Sequence, residues 1–256
     1  TRRLIVRQDP LSALMALAPS PALRALFPAQ RRAKDGPKRK RCWLAGRRAG
    51  KSYLAAVRLL GGKPGQFSAF CARTLKSAKA IIMGVFAELN AAFKLGLTIR
   101  TGTGTVIEPN GHIIQLYGLR DVSQADLIRG QKFRMVVVDE CGAFHDELIK
   151  YSLESVLQPT LLDLRGDLVL SGTPGPIPKG YYYDLSGNPG LESPVRGRLQ
   201  THRWTYLDNP HVPHEDVLEE ALELYGATAE SATFRREYLA IWCEDADAIV
   251  YRYRGE

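Results

Sequence analysis

A lysine and a serine stand side by side at the end of a short glycine-containing segment. The segment is Ala45-Gly46-Arg47-Arg48-Ala49-Gly50-Lys51-Ser52, and it follows an apolar stretch and precedes a run of helical character. The first N–H groups of a helix have no intrahelical partner, so a turn between a strand and a helix offers them to an anion. The segment therefore predicts a phosphate-binding loop.

Within this loop, the lysine and serine predict a nucleotide site with a metal ion. Lys51 is placed to reach the β- and γ-phosphates of ATP, and the Ser52 hydroxyl to bind Mg²⁺. The match to G-x-x-x-x-G-K-[ST] is imperfect, because Ala45 occupies the first glycine position and Gly46 comes one residue later. The predicted nucleotide-binding residues are Gly46, Arg47, Arg48, Ala49, Gly50, Lys51 and Ser52.

Two adjacent carboxylates follow the apolar run of residues 135–138. Asp139, at the predicted strand end, is expected to hold Mg²⁺ directly or through water. Glu140 is expected to polarise the attacking water as a general base. The alternative is a strand that ends in a surface turn. Because a phosphate loop lies upstream, we favour an ATPase with an extra catalytic glutamate.

A third apolar run, residues 168–170, ends in Ser171, Gly172 and Thr173. Ligands of open α/β sheets bind at the carboxyl ends of the strands. These residues are therefore candidates to contact the γ-phosphate or the catalytic glutamate and to couple nucleotide state to neighbouring elements. The alternative is a tight Gly-Pro turn.

The elements that must position these residues alternate between strand and helix. Strands are predicted over residues 42–45, 67–72, 135–138 and 168–170, and helices over 52–60 and 75–93. Residues 97–117 predict an antiparallel β-hairpin insertion, and residues 201–206 one more strand. Acidic helices are predicted over 217–225 and 229–238. Buried strands between helices indicate an α/β fold with a mainly parallel sheet, as in P-loop NTPases of RecA-like or ASCE type.

Composition and charge exclude a disordered or membrane-spanning chain and favour a polyanionic partner. A chain of 256 residues with 45% hydrophobic residues excludes disorder throughout, and no apolar run is long enough to span a membrane. Residues 1–60 hold 15 lysines and arginines against two acids, whereas residues 201–256 hold five against 12. The basic end suggests a polyanionic partner, although a solvated basic loop is the alternative.

The motifs together resemble those of the ATPase domain of the large terminase subunit of tailed bacteriophages. The resemblance rests on "AGRRAGKS", "IRGQKFRMVVVDE" and "LSGTPG", and continues in "YLDNPHVP" and "FRREYLAIWCEDADAIVY". It covers most of residues 28–251. The departure at Ala45, the first glycine position, is common in that family and agrees with the resemblance.

The resemblance implies a motor that uses ATP and Mg²⁺ to drive viral double-stranded DNA through a portal into a procapsid. The implied partners are the DNA, the portal protein, the small terminase subunit and further copies of the chain in a ring. The isolated chain is expected to be a monomer. The implied location is the host cell cytoplasm, at the procapsid portal, and not the mature virion.

The resemblance also implies roles for particular residues. Arg47 and Arg48 match arginines that sense the γ-phosphate within one subunit. Arg129, eleven residues before Glu140, resembles an arginine finger offered to the neighbouring subunit, with an ordinary surface arginine as the alternative. Gln30 lies where the family often has an adenine-contacting glutamine. Residues 171–173 would form the coupling motif.

Three segments are expected: a helical arm and basic linker over residues 1–40, the ATPase core over 41–200, and a lid subdomain over 201–256. Members of this family usually have a nuclease domain after the ATPase domain. Residues 201–256 would include the start of the linker to it. Because we find no second set of strands with spaced carboxylates, this chain is not expected to cut DNA.

Two other functions share parts of this pattern. A helicase-like or DNA-repair ATPase has the same phosphate loop and acidic pair, but normally needs a second RecA-like domain. A non-hydrolysing, nucleotide-dependent DNA-binding scaffold would account for the basic charge. The intact set of Lys51, Asp139 and Glu140 favours an enzyme.

Overall fold

One mixed sheet runs through the described part of the chain. The computed structural model describes residues 21–187, 199–226, 228 and 230–244. Within these residues the strands are β1 Lys40–Ala45, β2 Phe67–Ala72, β3 Thr98–Arg100, β4 Thr105–Ile107, β5 Ile113–Gly118, β6 Phe133–Val138, β7 Asp167–Gly172 and β8 Gln200–Trp204.

The strand order places the predicted motifs at one edge of the sheet. The order is β3-β4-β5-β2-β6-β7-β1-β8, and the six strands from β5 to β8 are mutually parallel. Strand β7 pairs with both β1 and β6, so one strand separates the phosphate-loop strand from the strand of the acidic pair. Because parallel strands end at the same edge, the segments that follow β1, β6 and β7 meet there.

Helices cover both faces of this sheet. They are α1 Pro21–Arg24, α2 Pro28–Asp35, α3 Lys51–Leu59, α4 Leu75–Phe93, α5 Val122–Asp126, α6 Asp146–Tyr151, α7 Gln158–Thr160, α8 Tyr181–Ser186, α9 His214–Tyr225 and α10 Ala232–Glu237. A π-helical stretch, Ser152–Leu157, joins α6 to α7. None of the helices in the described ranges combines the length and apolar composition that a bilayer span requires.

The apolar runs of the sequence form strands that are buried on both faces. In β6, Met135 and Val137 pack into the core beneath α2, α3 and α4. Val136 and Val138 point to the opposite core, beneath α6 and α8. Alternate side chains of a strand face opposite sides, so a strand with helices on both faces needs no polar alternation. The predicted parallel α/β sheet is confirmed.

The N-terminal prediction needs a correction. The sequence predicts a basic linker up to residue 40, but α2 extends to Asp35 and β1 already begins at Lys40. Pro28 at the first turn suits a helix start. Ala29 and Ala33 then bury one face of the helix in the core. The predicted arm over residues 1–20 lies outside the described residues.

Two further predictions about the sheet are wrong in part. The segment over residues 97–117 is antiparallel as predicted, but its last strand is not in a separate insertion, because β5 pairs in parallel with β2. The strand predicted over residues 201–206 is confirmed over residues 201–204 as β8, but it pairs with β1 in the core sheet and does not belong to the lid, where the sequence places it. Strand β5 pairs on both sides, with β4 and β2, whereas β8 satisfies its backbone groups along the otherwise open edge of β1.

Helices α9 and α10 have a small core of their own. The sequence predicts both as acidic, but α10 carries two arginines and one glutamate. Tyr206, Val217, Ala221, Phe234 and Tyr238 are buried together. The rings of Phe234 and Tyr238 stack with their centroids 5.0 Å apart. We call residues 205–239 the lid, and its last turn lies against the phosphate loop.

Candidate nucleotide-binding site

A cleft of about 500 Å³ lies at the carboxyl edge of the parallel strands. It brings together the phosphate loop, the segments after β6 and β7, and the end of the lid. Its walls are formed by Arg47, Lys51, Ser52, Ile81, Asp139, Glu140, Gly142, Ala143, Gly172, Thr173, Pro174, Gly175, Pro176, Arg236 and Glu237. Residues predicted from three separate motifs therefore share one site.

The phosphate loop curls through two left-handed residues. Arg48 has φ 59° and Gly50 has φ 74°, a region that glycine adopts readily and other residues rarely. Helix α3 begins directly afterwards at Lys51. The first N–H groups of this helix are therefore available to an anion at the loop.

Side chains from distant segments hold the carbonyl groups of this loop. The carbonyl oxygens of residues 48, 49 and 50 accept hydrogen bonds from Asn209 (2.7 Å), Trp204 (2.7 Å) and Gln30 (2.9 Å), respectively. Each donor leaves a loop carbonyl satisfied within the protein. The loop is thus fixed in shape by the first helices, the edge strand and the lid.

The Lys51 side chain extends from the start of α3 to the beginning of the phosphate loop. Its Nζ donates to the carbonyl oxygens of Ala45 at 3.0 Å and of Gly46 at 2.9 Å. Burial lowers the pKa of the ammonium group, and the negative charge of Asp139 opposes that shift. The lysine is therefore anchored beside the acidic pair.

The contacts of the loop explain why its first glycine is Gly46, one residue later than in the phosphate-loop pattern. A Cβ added at Gly46 would lie 2.0 Å from the carbonyl oxygen of Tyr238. Next to it, the Arg47 N–H donates to the carbonyl oxygen of Glu237 at 2.6 Å. Ala45 is instead the fully buried last residue of β1. The lid backbone approaches the loop so closely that glycine is needed at position 46.

The acidic pair lies opposite Lys51 in the cleft. Asp139 is 3% exposed, and its Oδ1 is buried without a hydrogen-bond donor among the described residues. Glu140 is exposed to the cleft and has a left-handed φ of 56°. The loss of solvent around its carboxylate, and next the charge of Asp139, raise the pKa of Glu140. A raised pKa suits a general base.

The two loop arginines pair with carboxylates of the lid. Arg47 Nε lies 2.9 Å from Glu237 Oε2, and Arg48 Nη2 lies 3.0 Å from Glu220 Oε1. Arg47 lines the cleft, whereas Arg48 is directed to α9. Both guanidinium groups are about half exposed, so each pair adds little stability by itself. The pairs connect the loop to both helices of the lid.

The end of β7 packs against the acidic segment. A Cβ at Gly142 would lie 2.6 Å from the Thr173 carbonyl oxygen, so the segments after β6 and β7 are in direct contact. Gly172 and Thr173 line the cleft, while Ser171 is fully buried behind them. The predicted coupling residues therefore lie against residues 141–142, which directly follow Glu140, and their coupling role stays a prediction.

Gln30 and Arg129 are predicted site residues from outside the three motifs, and neither lines the cleft. Gln30 is 2% exposed, and its Oε1 accepts from the Phe27 N–H at 3.3 Å while its amide nitrogen holds the loop. Arg129 donates to Asp126 Oδ1 at 2.6 Å and to the Tyr151 hydroxyl at 2.7 Å. Adenine contact by Gln30 and a finger role for Arg129 in a neighbouring subunit stay predictions.

Comparison with known proteins adds the family. The family model described as "Terminase large subunit, T4likevirus-type, N-terminal" matches residues 42–252. The chain belongs to the terminase large subunit family. A search of curated proteins finds no match to the chain.

Solved terminase structures share the fold at low sequence identity. The ATPase domain of Thermus phage P74-26 large terminase has a TM-score of 0.62 at 18% identity, covering 89% of this chain and 100% of that one. The large terminase of a thermophilic bacteriophage, in complex with ADP, gives 0.66 at 13%, covering 85% and 54%. HK97 bacteriophage large terminase gives 0.62 at 14%, covering 85% and 50%.

These matches show that the chain shares the fold of the P74-26 terminase ATPase domain. The terminase chain spans the whole P74-26 ATPase domain but only about half of the ADP-bound terminase and of the HK97 protein.

The sequence did not predict every residue that lines the cleft. Gly142, Ala143, Gly175 and Pro176 directly follow the predicted motifs, whereas three others come from separate helices. Arg236 and Glu237 line it from the end of α10, and Ile81 from α4. The segment "FRREYLAIWCEDADAIVY" supported the family resemblance but suggested no role for either charged residue. Periodicity places α10 on the surface of the lid and does not show which cleft its last turn meets.

Proposed function

We propose that the chain is the ATPase motor domain of a viral DNA-packaging terminase large subunit, which hydrolyses ATP to move double-stranded DNA into a procapsid. The observation that carries the proposal is the meeting of Lys51, Asp139 and Glu140 in one cleft beside a phosphate loop. Membership of the terminase family supplies the biological setting.

The cleft suits a magnesium ion. Asp139 holds a buried carboxylate oxygen that receives no donor from the described residues, and a hard cation is the partner that such an oxygen favours. Ser52 lines the same cleft from the start of α3. These two residues would hold Mg²⁺, which supplies charge neutralisation at the phosphates when it is bound.

The other residues of the cleft bind the phosphates and accept the proton of the attacking water. The N–H groups at the start of α3 and the Lys51 ammonium group bind and orient the phosphates. Glu140 accepts a proton from the attacking water, since its raised pKa lies closer to working pH than that of an ordinary glutamate. Thr173 lines the same cleft as Glu140 and would respond to the terminal phosphate.

The lid provides a route from chemistry to movement. Phosphates that enter the cleft compete with Glu237 for Arg47, because both are anions that a guanidinium group binds. Arg48 is linked to α9 through Glu220. Nucleotide state would therefore change the contacts that hold the lid on the loop. This movement would act on double-stranded DNA at the procapsid in the host cytoplasm. The other partners would be the portal protein, the small terminase subunit and further copies of the chain.

The test is Mg²⁺-dependent ATP hydrolysis with and without double-stranded DNA. Glu140→Gln removes the base but keeps the shape of the side chain, so hydrolysis should fall by about 10²–10⁴-fold while ATP binding is retained. Glu147→Gln is the matched control, since Glu147 is exposed on α6 and does not line the cleft. A wild-type chain that binds ATP but never hydrolyses it, even with DNA, would instead be a nucleotide-dependent scaffold.

A further inference from the structure

The end of helix α10 sends two consecutive charged side chains into the nucleotide cleft. Arg236 and Glu237 both line it. Neighbouring residues of a helix normally point in different directions. Here Arg236 Nη1 lies 2.8 Å from Glu237 Oε1, and each side chain is 14% exposed. Their convergence inside one cleft needs an explanation beyond a solvated helix surface.

One carboxylate in the cleft binds two guanidinium groups. Glu237 accepts from Arg236 through Oε1 and from Arg47 through Oε2, at 2.8 and 2.9 Å. Arginine binds carboxylate and phosphate with the same donor geometry. The carboxylate of Glu237 therefore marks a position at which the protein holds an anion between an arginine of the loop and an arginine of the lid.

The backbone of this pair is fixed against the phosphate loop. The Glu237 carbonyl oxygen accepts from the Arg47 N–H, and Gly46 leaves no room between the loop and Tyr238. Phe234 and Tyr238, on either side of the pair, are buried in the lid core. Arg236 thus enters the cleft from a rigid position, which a phosphate-binding side chain requires.

We infer that Arg236 is a phosphate-binding residue of the lid. It contacts the terminal phosphate of ATP, and that phosphate displaces the Glu237 carboxylate from the Arg236 guanidinium group. This inference rests on the proposed function and extends it to a residue outside the phosphate loop and the acidic pair. The terminal phosphate is specified because Arg236 shares its cleft with Glu140, and the base must lie next to the phosphate that water attacks. A phosphate that carries more charge and more oxygen acceptors than a carboxylate competes well for both arginines.

The experiment compares binding of ATP-γ-S and of ADP, each with Mg²⁺, by isothermal titration calorimetry. Arg236→Gln should weaken ATP-γ-S binding by about tenfold or more, since a charge-assisted hydrogen bond is lost, and should change ADP binding by less than about twofold. Arg236→Lys should restore part of the loss. Arg235→Gln is the matched control, because Arg235 lies on the same helix but is exposed and away from the cleft.

A second variant tests the displacement without removing the arginine. Glu237→Gln takes away the competing anion, so it should raise the preference for ATP-γ-S over ADP. The inference is overturned if Arg236→Gln leaves the ratio of the two affinities unchanged, or if Glu237→Gln lowers that ratio. These results, with wild-type hydrolysis intact, would leave the proposed function standing. A wild-type chain that binds neither nucleotide would overturn both.

Discussion

The close approach of lid and loop at Gly46 makes a single methyl group a sharp test of the site. In Gly46→Ala, the new Cβ would lie 2.0 Å from the Tyr238 carbonyl oxygen and 2.6 Å from its carbon, whereas real Cβ atoms essentially never come within 3.0 Å. The two backbones must therefore separate by about 1 Å or more, because both are rigid main chain. Such a shift breaks the hydrogen bond from Arg47 to Glu237, which is 2.6 Å long.

Two magnitudes follow from this displacement. Overpacking of a rigid contact costs about 1–3 kcal/mol of unfolding free energy. Misplacing catalytic groups by about 1 Å lowers turnover by up to about 10²-fold. We therefore expect Gly46→Ala to lower the urea midpoint and to reduce kcat/KM for ATP hydrolysis, measured by urea unfolding and steady-state kinetics.

The chain offers a matched control for this substitution. Gly84 lies inside α4, and a Cβ there meets no heavy atom within 4 Å. Gly84→Ala should stabilise the protein by about 0.5–1 kcal/mol and leave hydrolysis unchanged. If Gly46→Ala matched the wild type in both urea midpoint and kcat/KM, the lid would not rest on the loop as described, and the reasoning would be refuted.

Three further outcomes are expected. Because the pKa of Glu140 is raised and its ionised form acts as the base, kcat/KM should fall on acidification at a higher pH than for an ordinary glutamate, and Glu140→Gln should lack that dependence. Phe234→Ala empties the lid core and should cost about 3–5 kcal/mol locally, so hydrolysis should be lost while far-ultraviolet circular dichroism of the sheet persists; retained hydrolysis would contradict this. If Arg129 serves a neighbouring subunit, specific activity should rise with protein concentration, and Arg129→Ala should abolish that rise; concentration-independent activity would count against it.

The parts of the site that the sequence predicted are those whose chemistry is local. Lys51 and Ser52 are recognisable because the loop and the helix start are consecutive residues. Asp139 and Glu140 are recognisable because a strand without polar alternation must be buried on both faces and ends where ligands bind. The parallel sheet follows from the same patterns. Each of these inferences needs only the residues on either side of the motif.

The missed parts depend on contacts between distant segments. By pattern, Arg236 and Glu237 belong to a helix of the lid, and the contacts of residues 237 and 238 with the phosphate loop bring them to the cleft. The supporting roles of Trp204 and Asn209 were missed for the same reason, since each donates to a loop carbonyl from more than 150 residues away in the chain. Residues 201–204 look like part of the lid until β8 is seen to pair with β1.

The three donors that hold the loop carbonyls also set the order in which the site becomes complete during synthesis. Gln30 precedes the loop, but Trp204 and Asn209 emerge from the ribosome long after it. Contacts between segments this far apart form late, because their loop-closure entropy must be met before they contribute stability. A nascent chain would thus carry the whole phosphate-loop sequence, yet bind nucleotide weakly until its edge strand and lid have folded onto that loop.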